Sequence, residues 1–221
     1  MTFGVRTLVD DYGEEVARSI ADAIAGGGSL VLTGGGTAQE VYPHLGGMKH
    51  DWDAVEVAFS DERGVPPDDL ASNYGMAKRL LLDAAIPGHV HRMRGEIPPE
   101  HAAVEYSAAM RPLVDKGFDV LLLGMGSDCH IAALFPGSPA LASRHLAEAV
   151  ERPDGMAGIT LTPPALSSAK KILLIVTGES KAAAVRRAVT GDEVPEVCPV
   201  RLLADHPDAT FLLDGPAASA L

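Results

Sequence analysis

Asp128 and His130 stand two residues apart, just after a glycine-rich break at Gly124-Met125-Gly126. A carboxylate beside an imidazole is a pairing suited to general acid–base chemistry. Asp128 can orient and polarise the ring, and His130 can take a proton from water. Glycines at 124 and 126 let the backbone turn sharply or approach a ligand closely, so Gly126 joins the candidate site. The structural alternative is a turn aspartate and a histidine packed under the next element. Cys129 lies between the two, but neighbouring side chains usually diverge, so it is not expected to act as a nucleophile beside His130.

Three other stretches carry groups that suit an anion. Ser29 to Thr33 reads as a short buried strand, followed at once by Gly34-Gly35-Gly36-Thr37 and a helix opening at Thr37. Strand, glycines, hydroxyl, helix is an anion-binding arrangement, because glycine backbones do not obstruct a phosphate and a helix N-terminus offers free N–H groups. It is neither a P-loop nor a dinucleotide fingerprint: no Lys-Ser/Thr pair follows, and Gln39 breaks the glycine spacing. Asp61-Glu62-Arg63 ends the next strand, Val55–Ser60, and the guanidinium of Arg63 offers a planar fork for phosphate or carboxylate. A solvated loop with an internal ion pair is the alternative. Lys181 opens a helix after the strand Lys171–Thr177, where a cation opposes the helix dipole unless an anion joins it.

These groups must be positioned by the elements around them. Val120 to Leu123 is apolar without alternation, as in a parallel strand covered on both faces. Helices are expected from Asp11 to Ala25, from Asn73 to Asp83 with Ser72 as N-cap, and from Pro98-Pro99 to Lys116. Further strands are expected at 159–162 and 210–213. Strands alternating with helices imply an α/β fold with a mainly parallel, doubly wound sheet and helices on both faces. Such a sheet gathers the loops at Gly34, Asp61, Gly124 and Gly178 on one edge. A single unit over 1–221 is expected.

Composition narrows the function classes. A net charge of −12 argues against a nucleic-acid partner, yet a few local cations and N–H groups still serve a small anion. No apolar run is long enough to span a membrane, and the N-terminus lacks a basic region followed by an apolar one, so a cytoplasmic protein is expected. Cys129 and Cys198 read as separate reduced thiols. His89 and His91 could share a face, but no third ligand is spaced nearby, so no metal is expected. No cofactor fingerprint is present.

Several blocks, in order, resemble the 6-phosphogluconolactonases of the pentose phosphate pathway: LVLTGGGTAQEVYPHL at 30–45, FSDERGVPPDDLASNYGMAKRLLL at 59–82, DVLLLGMGSDCHIAALFPGSPAL at 119–141, ITLTPPALSSAKKILLIVTGESKAAAV at 159–185 and PVRLLADHPDATFLLD at 199–214. The resemblance implies the sugar-phosphate isomerase/deaminase type of α/β fold and metal-independent hydrolysis of a lactone ester. It implies His130 as the base activating water and Asp128 as its partner. Gly35, Gly36, Thr37, Arg63 and Lys181 would grip the phosphate, with Asp61 and Gly126 beside them and Asn73 lining the pocket. Backbone N–H groups of 124–130 are the expected oxyanion donors. A small sugar phosphate is the expected partner, and the chain a monomer or homodimer.

The chain departs from that pattern at two places. Cys129 replaces a glycine, which implies strain on the order of 1–3 kcal/mol if its φ is positive. Gly158 replaces an arginine, which implies a lost cation. Two other roles stay open: an amino-sugar phosphate deaminase or isomerase, with Asp61 and Glu62 shuttling protons, or a non-catalytic sugar-phosphate binder.

Overall fold

The computed structural model describes residues 3–221. Met1 and Thr2, part of the stretch read for a secretion signal and of the expected 1–221 unit, lie outside the described residues. Ten strands occur in chain order: β1 Gly4–Thr7, β2 Gly28–Leu32, β3 Val55–Phe59, β4 Asp61–Arg63, β5 His89–Val90, β6 Val120–Gly124, β7 Ala147–Glu151, β8 Ala157–Leu161, β9 Lys171–Val176 and β10 Ala209–Leu213. The α-helices are α1 Tyr12–Ala23, α2 Gly36–Gly47, α3 Asn73–Ala77, α4 Asp83–Ala85, α5 Pro99–Lys116, α6 Pro163–Leu166, α7 Ala182–Thr190 and α8 Gly215–Ala218. A π-helical turn, Lys78–Leu82, joins α3 to α4, so the expected helix over 73–83 is one continuous rod with a widened middle.

Seven strands form a parallel sheet in the order β1-β10-β9-β6-β2-β3-β5. The apolar runs of β2, β6 and β9 lie at its centre because both faces are covered. Alternate residues serve opposite layers. Leu30, Leu32, Val120 and Leu122 pack with Ile20 of α1 and Tyr42 and Leu45 of α2. Val31, Leu121 and Leu123 pack with Tyr106 and Met110 of α5 and Val185 of α7. Val104 of α5 faces solvent.

The chain runs from β2 outward to β3 and from β6 outward to β9 in the opposite direction. The loops after β2 and β6 therefore diverge, and a crevice opens between them at the carboxyl ends of the strands. Buried side chains fix its floor. The Tyr42 hydroxyl donates to Thr33 O (2.6 Å) and accepts from Thr33 N (3.0 Å), holding the end of β2. Thr33 Oγ1 accepts from Gly124 N at 3.2 Å, tying the two diverging loops together.

A second sheet was not legible in the sequence. After Ser60 the chain leaves the main sheet, and β4 pairs antiparallel with β8, which pairs with β7, in the order β4-β8-β7. Asp61-Glu62-Arg63 is thus a strand rather than a loop. Asp61 and Glu62 are buried, which overturns the solvated-loop alternative. Among the described residues no helix is long and apolar enough to cross a membrane.

Candidate active site

A cavity of about 190 Å³ opens at the carboxyl ends of β2, β3, β6 and β9. Gly35, Gly36 and Thr37 line it after β2, Asp61 and Arg63 from β4, Gly126 and His130 after β6, and Lys181 after β9. The topology thus brings together groups separated by almost 150 positions. Asp128 and Asn73 stand behind this lining.

His130 Nδ1 lies 2.6 Å from Asp128 Oδ1. The carboxylate accepts, so Nδ1 carries a proton, and Nε2 is the nitrogen the neutral ring offers as a base. The same Oδ1 also accepts from His130 N at 3.1 Å, which fixes the carboxylate relative to the ring. Burial alone would push the Asp128 carboxyl up. The charge and hydrogen bonds of His130 outweigh it and hold the carboxyl below its ordinary value. A Cβ at Gly126 would sit 2.1 Å from His130 Nδ1 and 2.4 Å from Asp128 Oδ1. Glycine is required there by close approach, since its φ is not positive.

Gly35 is the N-cap of the twelve-residue helix α2, with φ 96° and no side-chain cap. Its left-handed conformation favours glycine, and the uncapped first turn leaves N–H groups open toward the cavity. Thr37 Oγ1 meets Thr177 Oγ1 at 2.8 Å, which joins this loop to the end of β9, near Lys181. Among the described residues Lys181 makes no ion pair.

Asn73 does not line the cavity as expected. It is buried, its Oδ1 accepts from Arg63 Nη1 at 2.7 Å, and its Nδ2 donates to Asp61 O at 2.9 Å. A Cβ at Gly34 would lie 2.0 Å from Asn73 Oδ1, so the glycine loop rests on the amide and covers it. Asn73 positions Arg63, whose Nη1 also donates to Ala71 O at 2.7 Å. Glu62 turns away from the cavity and binds the start of α3, which removes it as a proton shuttle.

Arg152 is the site residue that sequence reasoning missed. It follows β7, at the Arg-Pro-Asp-Gly turn into β8, and its side chain reaches back into the cavity. The Pro-Asp-Gly sequence is a turn signal that could have located this hairpin. Nothing in the sequence tells which way the arginine points. A Cβ at Gly158 would lie 3.0 Å from Glu62 O and 3.3 Å from Arg152 Cδ, so the bare glycine leaves room for the β4 backbone and for the arginine stem. The cation implied to be lost at 158 is therefore matched by one that enters from six residues upstream.

Cys129 has φ 70° and is fully buried, away from the cavity, with its thiol against that of Cys198. The two cysteines read as unrelated thus meet in the core as free thiols. The positive φ makes a measurable prediction. Cys129→Ala and Cys129→Gly both lose the buried sulfur, but only glycine is at ease in this conformation. Gly should exceed Ala in stability by about 1 kcal/mol, the reverse of the usual order. Urea titration of the two variants checks this, and equal midpoints would refute strain at 129. The rings of His89 and His91 meet edge to face, centroids 4.2 Å apart, and His91 Nε2 lies 3.0 Å from Glu56 Oε2.

Comparison with known proteins covers most of this architecture. The family model described as glucosamine-6-phosphate isomerases/6-phosphogluconolactonase matches residues 5–212. A 6-phosphogluconolactonase of Mycobacterium tuberculosis is 35% identical, covering 97% of this chain and 94% of its own. One from Synechocystis is 33% identical, covering 93% and 90%. The crystal structure of 6-phosphogluconolactonase from Thermotoga maritima superposes with a TM-score of 0.86 at 26% identity, covering 96% of this chain and 99% of that one.

Proposed function

The chain belongs to the family of glucosamine-6-phosphate isomerases and 6-phosphogluconolactonases, and on that premise we propose that it hydrolyses 6-phospho-D-glucono-1,5-lactone to 6-phospho-D-gluconate, as a cytoplasmic enzyme of the oxidative pentose phosphate pathway. The observation that carries this reading is the His130–Asp128 pair, 2.6 Å apart, at a cavity also lined by a glycine-rich helix start and by Lys181, which makes no ion pair among the described residues.

The phosphate takes the N–H groups of Gly35 to Thr37 and the charge of Lys181, with Arg63 completing the clamp. Holding the phosphate orients the ring so that its ester carbon faces His130, and fixed orientation lowers the barrier before any proton moves. His130 Nε2 takes a proton from water as the water oxygen bonds to C1, and the carbonyl electrons move to the oxygen. When the tetrahedral intermediate collapses, the bond from C1 to the ring oxygen breaks, and His130 returns its proton to that oxygen. The carboxylic acid so formed loses its proton to solvent, the product leaves as a carboxylate, and no cofactor enters the balance. Asp128 stabilises the imidazolium formed between the two transfers.

The test is direct. The lactone is generated in situ from glucose 6-phosphate and its dehydrogenase, and release of 6-phosphogluconate is followed with a second dehydrogenase. Hydrolysis well above the spontaneous rate supports the reading. A rate equal to the uncatalysed one, with ammonia released from glucosamine 6-phosphate instead, replaces it with the deaminase role.

A further inference from the structure

The oxyanion of the tetrahedral intermediate needs a donor, and the loop after β6 has few to spare. Gly124 N donates to Thr33 Oγ1, Gly126 N to His130 O, Cys129 N to Gly126 O and His130 N to Asp128 Oδ1. Most of the N–H groups expected to serve this purpose are thus engaged within the protein. A different group stands ready. The Arg152 side chain is only 10% exposed, and its buried Nη1 has no hydrogen-bond partner. Asp61 Oδ2 lies 3.6 Å from Nη1, close enough for charge pairing and too far for a hydrogen bond, while Nε of the same guanidinium donates to Asp154 Oδ2 at 3.4 Å. A buried guanidinium N–H without an acceptor is costly unless a ligand supplies one.

Its place in the cavity says which part of the ligand that is. The guanidinium carbon lies 5.5 Å from the centroid of the Phe135 ring, and the His130 ring lies 4.5 Å from the same centroid. Arg152 and His130 therefore flank one aromatic ring, at the end of the cavity where water would be activated. Lys181 and the Gly35–Thr37 loop line the same cavity from the ends of β9 and β2, which the Thr37–Thr177 contact joins, and neither is among the contacts of the Phe135 ring. Phe135 excludes water from one side of the guanidinium, which strengthens its interaction with a developing negative charge.

We infer that Arg152 is a catalytic residue that donates from Nη1 to the lactone carbonyl oxygen. The inference rests on the lactonase reading. Asp61 holds the guanidinium in place by charge without taking the N–H that the oxyanion needs.

The experiment compares wild type, Arg152→Ala and Arg152→Lys on lactone generated in situ, with thermal melts of each to confirm folding. Arg152→Ala should lower kcat by about 10²–10³-fold, the range seen when one oxyanion donor is removed. KM should stay within about threefold, because the interaction forms in the transition state. Arg152→Lys keeps the charge beside Asp61 and should keep the fold, yet it should recover only part of kcat because the planar fork is gone. Added guanidinium should raise the rate of Arg152→Ala and leave His130→Ala unchanged, a response that a purely structural arginine would not give. A variant Arg152→Ala with unchanged kcat, or with a raised KM alone, overturns this inference while leaving lactone hydrolysis intact. Absence of hydrolysis in the wild type overturns both.

Discussion

His130→Ala should lower kcat/KM for lactone hydrolysis by about 10²–10⁴-fold, the usual contribution of a positioned general base. The fold should be untouched, because the ring is partly exposed and lies at the cavity rather than in the core. Some rate above background should survive, since the phosphate clamp still orients the ester. Asp128→Asn tests the same dyad from the other side. It removes the charge that steadies the imidazolium, so kcat should fall by about 10²-fold or more. The charge and hydrogen bonds of His130 outweigh burial and hold the Asp128 carboxyl below its ordinary value, so the partner of the ring stays ionised to lower pH than a free carboxylate. Initial rates on all three proteins decide the matter. An Asp128→Asn or His130→Ala enzyme of undiminished rate would remove the base from this mechanism.

What could be read before the fold was known followed a clear physical division. Parallel strands covered on both faces announce themselves as unbroken apolar runs, so β2, β6 and β9 were legible, and with them the edge on which their loops meet. Glycines at the ends of such strands are local signals too, which is why Gly35, Gly126 and the residues around them were found. The second sheet carries no such pattern: β7 is Ala-Glu-Ala-Val-Glu, and Ala157-Gly158 opens β8 with little side chain to pack. Arg152 depends on that hairpin and was invisible with it. Asn73 was found as a residue and misplaced as a contact. Whether an amide faces a cavity or braces an arginine is decided by the loop above it, here Gly34, and not by its own neighbours in sequence. The meeting of Cys129 with Cys198, 69 positions apart, is likewise a property of packing alone.

Glu62 is where the largest effect on stability is expected, although it touches nothing in the cavity. Its Oε1 accepts from Arg63 N at 2.8 Å and Asn73 N at 2.7 Å, and its Oε2 from Tyr74 N at 2.8 Å and Ser72 Oγ at 2.9 Å. Burial pushes its carboxyl above the ordinary value even though all four donors oppose that shift. Two of those donors are first-turn N–H groups of α3, which a helix cannot satisfy internally. Glu62→Ala would leave several buried donors without an acceptor, each costing about 1–3 kcal/mol, so a loss of about 3–5 kcal/mol is expected once local water and relaxation compensate in part. Glu62→Gln should cost less, about 1–3 kcal/mol, because the amide oxygen keeps one pair of donors while its NH₂ faces the other. The two losses should also be felt in the site. Glu62 holds the segment from Ser72 to Tyr74, and Asn73 in that segment holds Arg63 by a 2.7 Å hydrogen bond. A loosened Arg63 should raise KM for the lactone more than it lowers kcat, since clamping the phosphate is a ground-state interaction as well as a transition-state one. Urea denaturation with kinetics on the same preparations separates the cases. Glu62→Gln as stable as wild type would show that the four donors do not depend on the carboxylate. A fall in kcat at constant KM would instead place Glu62 in the chemistry, from which its orientation excludes it.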